Sequence, residues 1–502
     1  MSAPAASPDT VIGLDIGTTS TIGIAVRMPG EIVHVASRPV SLSSPHPGWA
    51  EEDPAEWWAN SVAGLREIVA ALPGGGASLA GLCVTGMLPA VVLLDAAGNV
   101  LRPSIQQSAG RVGAEVEALK AELDEAAFLA RAGNGVNQQL VAAKLRWIAR
   151  HEPDVFARIA TVFGSYDYVN FRLTGRRAVE QNWALEAGFT DLSDHRIAAD
   201  LVALAGIPRG AVPDRTVTHE MMGRVSAEAA AETGLPEGLP VFGGAADHIA
   251  SALAAGIAAP GDVLLKFGGA GDIVVATAEA TPDPRLYLDY HLVPGLYAPN
   301  GCMAASGSAL NWLAGLIGAE DGEERPHVAL DRLAGAVPAG SDGVLCLPYF
   351  LGEKTPIHDP LARGTFTGLS LGHGKGHLWR ALLEALAKGD RHHLDVLTEM
   401  GHRPSRVFAS DGGSKSRVWM QIVADVVGLP VRLLDNPHGS SVGAAWVAAI
   451  GSGLSSDWSG VSALARHGAL IEPDPANRAV YDRGYARYRA AYEALKPVFA
   501  MD

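Results

Sequence analysis

Near its start the chain reads Val11-Ile12-Gly13-Leu14-Asp15-Ile16-Gly17-Thr18-Thr19-Ser20, a glycine-rich turn between two apolar, β-prone runs. Past the midpoint the pattern returns as Leu264-Leu265-Lys266-Phe267-Gly268-Gly269-Ala270-Gly271-Asp272. Backbone N–H groups of two such turns can hold a polyphosphate. Strand and helix patterns alternate along the chain, which predicts an α/β architecture.

Almost midway along the 502 residues stands Gly243-Gly244-Ala245-Ala246-Asp247-His248. Asp247 could accept a proton during phosphoryl transfer, and the preceding glycines would let a ligand approach the backbone. An aspartate before a helix is more often an N-cap, and the two roles are compatible. His248 could orient a substrate hydroxyl, or it could have only a structural role; the pattern does not decide between the two.

Two other segments are typical of phosphate or nucleotide contacts. Asp15 stands at a strand end, where it could hold Mg²⁺, and the hydroxyls of Thr18 and Thr19 could contact phosphate; an ordinary β-hairpin is the alternative. The glycines in Ser410-Asp411-Gly412-Gly413-Ser414-Lys415-Ser416 open a helix, where free N–H groups favour anions. A serine-capped helix with a flexible entry is the alternative there.

Composition narrows the class of protein. The net charge of −15 argues against a nucleic-acid or anionic-membrane surface. The three cysteines have no metal or disulfide spacing, so we expect buried thiols in a reducing cytosol. The first nine residues resemble a frayed end rather than a signal peptide. The sequence contains no run of about 18 apolar residues, so we expect no transmembrane helix.

A rival enzyme class is suggested by Gly439-Ser440-Ser441-Val442-Gly443, which matches the G-x-S-x-G elbow of α/β-hydrolases. Asp457 and His467 follow in the right order. Too little chain remains after Gly443 to complete a hydrolase sheet, however, and a helix start explains the segment better.

The best domain boundary lies at residues 256–261. We predict a disordered N-terminus over residues 1–10, a first domain over 11–257 and a second over 258–502. Expected helices cover residues 54–72, 112–129, 141–150, 249–255, 415–427, 442–450 and 478–495. The first is expected to start with Asp53 as its cap and Pro54 in its first turn.

Several segments, in order, resemble the FGGY family of carbohydrate kinases, members of the actin-like, sugar-kinase and Hsp70 ATPase superfamily. The resemblance rests on residues 15–19, 244–247 and 268–271 and on four further motifs. These motifs are Gly48-Trp49-Ala50-Glu51-Glu52-Asp53-Pro54, the segment at residues 347–356, Ala362-Arg363-Gly364, and Gly412-Gly413-Ser414-Lys415-Ser416 with Trp419, Gln421, Ala424, Asp425 and Pro430.

The resemblance implies two actin-like (ribonuclease H-like) α/β domains, an N-terminal one for the sugar and a C-terminal one for the nucleotide, with an active-site cleft between them. It implies ATP and Mg²⁺ as cofactors, a small sugar as substrate, a cytoplasmic enzyme and a possible homodimer. Asp247 would be the catalytic base, and Asp15 and Asp247 would lie near the metal. The implied nucleotide contacts are Gly17, Thr18, Thr19, Gly268, Gly269, Ala270, Gly271, Gly412, Gly413 and Ser414. The implied sugar contacts are Leu88, Pro89, Gln107, Asp247 and His248.

Departures from the family pattern affect both ligands. Ile22 stands where members often carry Lys or Arg, and Gly269-Ala270 stands where Thr-Ser is usual. The xylulose kinases, which are most similar in texture, carry Gln-Met-His at residues 87–89 and Trp-Asn-Asp-Gly-Arg at residues 107–111. Here Pro89, Gln107 and Ala109 replace the imidazole, the indole and the carboxylate, which can change substrate preference strongly.

The hypotheses are therefore a kinase of a ketopentose such as xylulose, a kinase of another polyol, tetritol, branched sugar or sugar acid, and a nucleotide-binding regulator of the same fold that has lost turnover.

Overall fold

The computed structural model describes residues 8–46, 48–318, 325–435 and 438–501. Most of the predicted disordered N-terminus, residues 1–7, lies outside the described residues. Thr10 already pairs with Arg27 in a strand. None of the described helices combines the length and hydropathy that a bilayer crossing requires.

The strands, in chain order, are β1 (Thr10–Ile16), β2 (Ser20–Arg27), β3 (Glu31–Pro39), β4 (Glu51–Glu52), β5 (Leu79–Gly86), β6 (Val92–Leu94), β7 (Ser104–Ile105), β8 (Thr161–Phe163), β9 (Val179–Glu180), β10 (Thr190–Asp191), β11 (Arg196–Ile197), β12 (Arg215–Thr216), β13 (Met221–Arg224), β14 (Pro240–Ala246), β15 (Asp262–Phe267), β16 (Gly271–Val275), β17 (Tyr287–Tyr290), β18 (Tyr297–Met303), β19 (Leu345–Leu347), β20 (Thr365–Thr367), β21 (Arg406–Ser410), β22 (Val431–Asp435) and β23 (Arg466–Ile471).

The helices are α1 (Pro54–Ala71), α2 (Gly113–Glu122), α3 (Glu125–Ala132), α4 (Val141–His151), α5 (Pro153–Phe156), α6 (Ser165–Thr174), α7 (Gln181–Glu186), α8 (Ala199–Ala203), α9 (Ala227–Thr233), α10 (Asp247–Ala254), α11 (Gly307–Ile317), α12 (Pro326–Gly335), α13 (Lys375–Glu399), α14 (Arg417–Val427), α15 (Gly439–Gly451) and α16 (Arg478–Phe499). Short 3₁₀ helices cover Gly75–Ser78, Arg209–Ala211, Ser341–Gly343, Gly412–Lys415, Ser459–Ala463 and Pro475–Asn477.

The chain folds into two compact units. The first unit contains Met1–Ala258, Ala278–Ala298 and His438–Leu464, and the second contains Ala259–Thr277, Pro299–Pro437 and Ala465–Asp502. The predicted boundary at residues 257–258 falls at the first passage between them. The chain returns to the first unit twice more, with the segments that contain β17 and α15. These returns were not predicted, because a local sequence pattern does not reveal which sheet a strand or helix joins.

In the first unit a mixed sheet has the strand order β13-β14-β5-β1-β2-β3. β1 and β14 both run parallel to β5, one on each side, and Ile16, Gly86 and Ala246 stand in register. The predicted hairpin is present, since β1 pairs antiparallel with β2. Because parallel strands share their carboxyl edge, the residues that follow these three strands meet at one edge of the sheet.

In the second unit β18, β16, β15, β21, β22 and β23 lie side by side in that order. β15 and β16 form the second predicted hairpin. β15 runs parallel to β21, with Lys266 opposite Ser410. The glycine turn after β15 and the segment after β21 therefore leave the sheet at the same edge.

Local signals explain several helix ends. Asp53 caps α1 by accepting the N–H of Ala55 at 2.8 Å, with Pro54 in the first turn, as predicted. The single helix predicted over residues 112–129 is wrong, because the structure has two helices there. The carboxylate of Asp124 accepts the N–H groups of Ala126 and Ala127 and so starts α3 as a separate helix.

α15 packs directly on β1 and α10 because glycines stand at the contacts. A Cβ on Gly13 would lie 1.9 Å from the carbonyl oxygen of Ser441, and a Cβ on Gly443 would lie 2.1 Å from that of Ala250. Ser441 lies inside α15, where its hydroxyl donates to the Ile22 carbonyl oxygen at 3.3 Å. The glycine and serine spacing that matched a hydrolase elbow is thus a helix-packing pattern, and the predicted helix start is confirmed.

The predicted buried thiols are found for two cysteines. Cys83 and Cys346 are buried, whereas Cys302 is only partly buried. Burial raises the pKa of the Cys83 and Cys346 thiols well above the ordinary range. Neither thiol is therefore reactive at neutral pH.

Replacing Gly443 by Ala tests the packing of α15. We expect Gly443→Ala to lower the free energy of unfolding by about 2 kcal/mol or more, because the new methyl group overlaps the Ala250 backbone. Urea unfolding followed by tryptophan fluorescence measures the change. Gly315→Ala, in α11 with open space around its Cα, is the control and should be neutral or stabilising by up to about 1 kcal/mol. Equal midpoints for Gly443→Ala and wild type would contradict the packing role.

Candidate active site

The carboxyl edge of the first sheet brings together several of the predicted site residues of that unit. Asp15 lies at the end of β1, Asp247 directly after β14, and Met87, Leu88 and Pro89 directly after β5, which stands between those two strands. Neighbouring strands are roughly 4.8 Å apart, so the three segments lie side by side. Residues that are distant in the sequence thus share one small region.

Asp15 is almost buried, with 7% of its surface exposed. Its Oδ2 accepts a hydrogen bond of 2.6 Å from the hydroxyl of Ser440, at the start of α15. Sequence reasoning missed Ser440, because the contact exists only once α15 has packed on β1. A carboxylate held in this way at a strand end offers Mg²⁺ the hard oxygen donor that this ion prefers.

The turn after β1 is tight and leaves its hydroxyl groups accessible. The N–H of Gly17 donates to the Ser20 carbonyl at 3.1 Å. Thr18 is half-buried and Thr19 is exposed. Ile22 stands opposite Asp15 on β2, and cross-strand partners share a face of the sheet. The Lys or Arg that family members often carry at this position would therefore stand beside the Asp15 carboxylate. Ile22 provides no positive charge there.

Asp247 is the first residue of α10 and is not its cap, which is Ala246. The Asp247 side chain is 34% exposed, and its Oδ1 accepts the N–H of His248 at 2.6 Å. The carboxylate therefore keeps a solvent-facing part at the sheet edge. A side chain that remains accessible while its orientation is restrained suits a general base.

The two glycines before Asp247 have a packing role rather than the predicted one of admitting a ligand. Gly244 has φ of +113°, and a Cβ there would lie 2.9 Å from the Val84 carbonyl oxygen. A Cβ on Gly243 would lie 2.5 Å from that of Val217. The pairing of β14 with β5 shifts register at this point, so the glycines form a bulge that aims the end of the strand.

His248 lies between two carboxylates. Its Nε2 is 2.8 Å from Oδ2 of Asp289, and its Nδ1 is 3.4 Å from Oδ1 of Asp247. Burial alone would lower the pKa of His248, but the hydrogen bonds and negative charges of Asp247 and Asp289 outweigh burial and hold it well above its ordinary value. Sequence reasoning named His248 but not Asp289, which the fold brings in from β17.

Leu88 and Pro89, which the family resemblance predicts as sugar contacts, are buried in the bend after β5. The ammonium group of Lys144, on α4, donates to the carbonyl oxygen of Pro89 at 2.7 Å. Lys144 is fully buried. The bend is therefore held by a buried lysine that the sequence analysis did not single out.

The loop over residues 106–111 contains polar groups that lack a protein partner. Oε1 of Gln107, both amide atoms of Gln106, and Nε and Nη2 of Arg111 are buried and have no hydrogen-bond partner among the described residues. Ala109 between them is buried and offers only a methyl group. Buried polar atoms normally find partners, so this loop suits a ligand with several hydroxyl groups.

The tryptophan motif at residues 48–54 supports this loop. The Arg111 guanidinium lies 3.8 Å from the ring centre of Trp49. Its Nη1 donates to a carboxylate oxygen of Glu51 at 2.5 Å. Trp49 and Glu51 thus fix the Arg111 side chain from two sides.

In the second unit, the glycine turn after β15 directs its N–H groups outward. The carbonyl oxygens of Gly268 and Gly269 accept the N–H groups of Gly307 and Ser306, both at 2.9 Å, at the start of α11. In a trans peptide the N–H points opposite to the carbonyl. The N–H groups of Gly269 and Ala270 therefore point away from α11, an arrangement that suits phosphate oxygens. Gly271 closes the turn by pairing with Phe267.

The glycine segment after β21 lies beside this turn. A Cβ on Gly268 would lie 3.7 Å from an Asp411 carboxylate oxygen. Gly413 packs on Trp419 and Phe267, where a Cβ would come within 2.4 Å and 2.7 Å of them, whereas Gly412 faces open space. The hydroxyl of Ser414 donates to the Asp411 carbonyl at 2.8 Å and is not free for a ligand in this state.

Glycine turns with outward N–H groups and carboxylates at a strand edge are typical of a class of proteins that act on phosphate-containing ligands. Residues 10–254 match the N-terminal domain of the FGGY family of carbohydrate kinases, and residues 268–452 match the C-terminal domain. The chain belongs to the FGGY family of carbohydrate kinases. It is accordingly a phosphotransferase that uses ATP and acts on a small sugar.

Known proteins resemble this chain along its whole length. The xylulose kinase of Escherichia coli strain K12 is 29% identical, over 97% of this chain and 100% of that protein. The glycerol kinase of Citrifermentans bemidjiense is 30% identical, over 88% and 90%. The crystal structure of xylulose kinase from Rhodospirillum rubrum has a TM-score of 0.94 and 67% identity, over 98% of this chain and 100% of that one. The predicted family and α/β fold with two actin-like domains are confirmed.

Lys144 predicts a pH dependence of stability. Burial lowers its pKa to about 7; the electrostatic interaction with Glu186 opposes this effect and that with Arg111 adds to it. The ordinary pKa of lysine is about 10.4. Between about pH 7 and 10.4, Lys144 is therefore protonated in the unfolded chain but largely neutral in the folded one, and the free energy of unfolding rises with pH.

We expect the free energy of unfolding of wild type, relative to that of Lys144→Met, to increase by up to about 1.4 kcal/mol per pH unit between about pH 7 and 10. Urea titrations at pH 7, 8 and 9 measure both slopes. Below pH 7 the difference should level off. Parallel slopes across the window would show that Lys144 is not held with a lowered pKa.

Proposed function

We propose that this enzyme transfers the γ-phosphate of ATP to a hydroxyl group of a ketopentose, with xylulose as the first candidate. The observation that carries the proposal is the common edge of β1, β5 and β14, where Asp15, the bend at residues 87–89 and Asp247 lie side by side. Relatives named xylulose kinase match this chain over nearly its full length and support the substrate class.

In the proposed reaction Asp247 accepts the proton of the attacking sugar hydroxyl. The sugar oxygen forms a bond to the γ-phosphorus, the bond from that phosphorus to the β–γ bridging oxygen breaks, and ADP leaves. The proton moves to the exposed part of the Asp247 carboxylate. The first unit thus binds the sugar and supplies the base, while residues 268–271 and 412–414 of the second unit bind the nucleotide.

The phosphate contacts follow from the two turns. N–H groups of Gly269 and Ala270 would hold the polyphosphate, and the open space at Gly412 would let the nucleotide approach the main chain. Gly17, Thr18 and Thr19 would contact the transferred phosphoryl group. The usual threonine and serine of the second turn are Gly269 and Ala270 here, so binding there depends on the backbone.

Asp15 and Asp247 would hold Mg²⁺, directly or through water. Bound there, the ion neutralises charge that develops on the phosphate oxygens. Ser440 keeps the Asp15 carboxylate in place, since its hydroxyl donates to Oδ2 at 2.6 Å. A cytoplasmic location and a homodimer stay predictions.

The sugar contacts are where this enzyme differs most from the xylulose kinase pattern. Leu88 and Pro89 give an apolar wall. Beside buried Ala109, Oε1 of Gln107 has no hydrogen-bond partner among the described residues and offers a hydrogen-bond acceptor. Gln106 and Arg111 supply further polar atoms that sequence reasoning did not assign to the sugar. Another polyol, a tetritol or a sugar acid is therefore the second candidate, favoured by Nε and Nη2 of Arg111, which have no hydrogen-bond partner in the part of the chain that the structure describes.

Coupled measurement of ADP release with a panel of ketopentoses, ketotetroses, polyols and sugar acids tests the function. We expect the highest kcat/KM for a ketopentose. Asp247→Asn should lower kcat by about 10²- to 10⁴-fold, because the proposed base is lost, with ATP affinity nearly unchanged, because the glycine turns proposed to bind the nucleotide stay intact. Asp124→Asn, which retains a helix cap, is the matched control and should keep wild-type turnover. ATP binding without acceptor-dependent ADP release would favour a regulator instead.

Asp15→Asn tests the proposed metal ligand. The amide is a weaker ligand than the carboxylate, so the Mg²⁺ concentration for half-maximal rate should rise about tenfold or more at saturating sugar. Asp9→Asn, just before the opposite end of β1, is the control and should leave the titration unchanged. A wild-type Mg²⁺ curve for Asp15→Asn would refute the assignment.

A further inference from the structure

The imidazole of His248 is held from both sides. Its Nε2 is 2.8 Å from Asp289, and its Nδ1 is 3.4 Å from Asp247. A ring with a carboxylate at each nitrogen has one preferred orientation, and any shift of Asp289 is transmitted to the ring. His248 therefore connects the proposed base with a residue on a distant segment.

Asp289 is itself placed by a built support. It is fully buried in β17, between Leu288 and Tyr290. The amide of Asn134 pairs with both backbone groups of Leu288, each at 2.9 Å. The amide of Asn182 pairs with those of Tyr290 in the same way, at 2.7 Å and 3.0 Å. Two asparagine side chains thus fix the backbone on either side of Asp289.

Glu186 completes the cluster. Oxygen atoms of Glu186 and Asp289 and a nitrogen of His248 lie within 4.8 Å of one another. Burial, followed by the negative charge of Asp289, holds the pKa of Glu186 well above its ordinary range. A protonated Glu186 can donate to Asp289, which leaves the opposite side of the Asp289 carboxylate for His248.

We propose that Asp289 is a positioning residue that acts through His248 to hold the Asp247 carboxylate in the orientation needed to accept the substrate proton. This inference rests on the proposed function of Asp247 as base. An error of about 1 Å at a catalytic group can cost about 10²-fold in rate, so loss of this support has a measurable effect. The support for Asp289 consists of the Asn134 and Asn182 side chains on either side of it in β17, and Asp289 in turn contacts His248, the residue after the proposed base.

The alternative for the same three side chains is a metal site, since carboxylates and imidazole are also metal ligands. In that case the ring would bind an ion through Nε2, and removal of Asp289 would release it. Metal analysis of the purified wild-type protein distinguishes the two. A stoichiometric ion that is lost in Asp289→Ala would overturn the positioning role.

The test compares Asp289→Ala, Asp289→Asn and Asp262→Ala. We expect Asp289→Ala to lower kcat about 10- to 100-fold with KM for the sugar within about threefold, because the base is misplaced but the substrate still binds. Asp289→Asn keeps an oxygen acceptor for Nε2 and should recover most of the loss. Asp262→Ala removes another buried carboxylate, bonded to Arg406, and should lower stability while kcat stays within about threefold of wild type.

A double-mutant cycle separates action through Asp247 from general damage. In an Asp247→Asn background, Asp289→Ala should cause no further loss of the residual rate. The same fold-loss in both backgrounds would overturn the proposal, as would a change confined to KM.

Nuclear magnetic resonance of ¹⁵N-labelled histidine rings gives a readout that needs no turnover. The His248 signals should shift in Asp289→Ala and stay in place in Asp262→Ala, and an unchanged His248 ring in Asp289→Ala would refute the contact. A wild type without acceptor-dependent ADP release would refute the proposed function, and the ring signals would still decide whether Asp289 holds His248.

Discussion

The parallel register of β1, β5 and β14 is the constraint on which the first unit depends. Ile16, Gly86 and Ala246 stand side by side because both outer strands pair in parallel with β5. A slip of β14 by one residue would turn its side chains to the other face and remove Asp247 from the edge. The bulge at Gly243 and Gly244 belongs to this constraint, because it sets how β14 reaches its end.

The close packing of α15 on β1 places Ser440 beside the Asp15 carboxylate. Gly13 and Gly443 let the helix approach β1 and α10 to backbone contact, and only then does Ser440 reach the Asp15 carboxylate. A larger residue at either glycine would therefore disturb both stability and the orientation of Asp15. The contact also explains why a late segment of the chain belongs to the first unit.

In the second unit, too, parallel pairing of strands brings two segments that are distant in sequence to one sheet edge. Parallel β15 and β21 bring the turn at residues 268–271 next to the segment that starts at Asp411. Hydrogen bonds to α11 fix the turn through its carbonyl groups, and planar trans peptides then direct the N–H groups outward. One unit thus presents carboxylates and the other presents backbone N–H groups, which fits the proposal that the first binds an alcohol and the second a polyphosphate.

The sequence by itself determined the two hairpins, the Asp53 cap of α1, the α/β class, the family and the identity of Asp15 and Asp247 as candidates, because these depend on local patterns and ordered motifs. Tertiary structure alone decided the partners: Ser440 for Asp15, Asp289 for His248, Lys144 for Pro89, and the place of α15. Each partner arrives from a distant segment through sheet register or helix packing, which local spacing does not encode. The break between α2 and α3 was missed by the sequence analysis, although the Asp124 cap that starts α3 is a local contact.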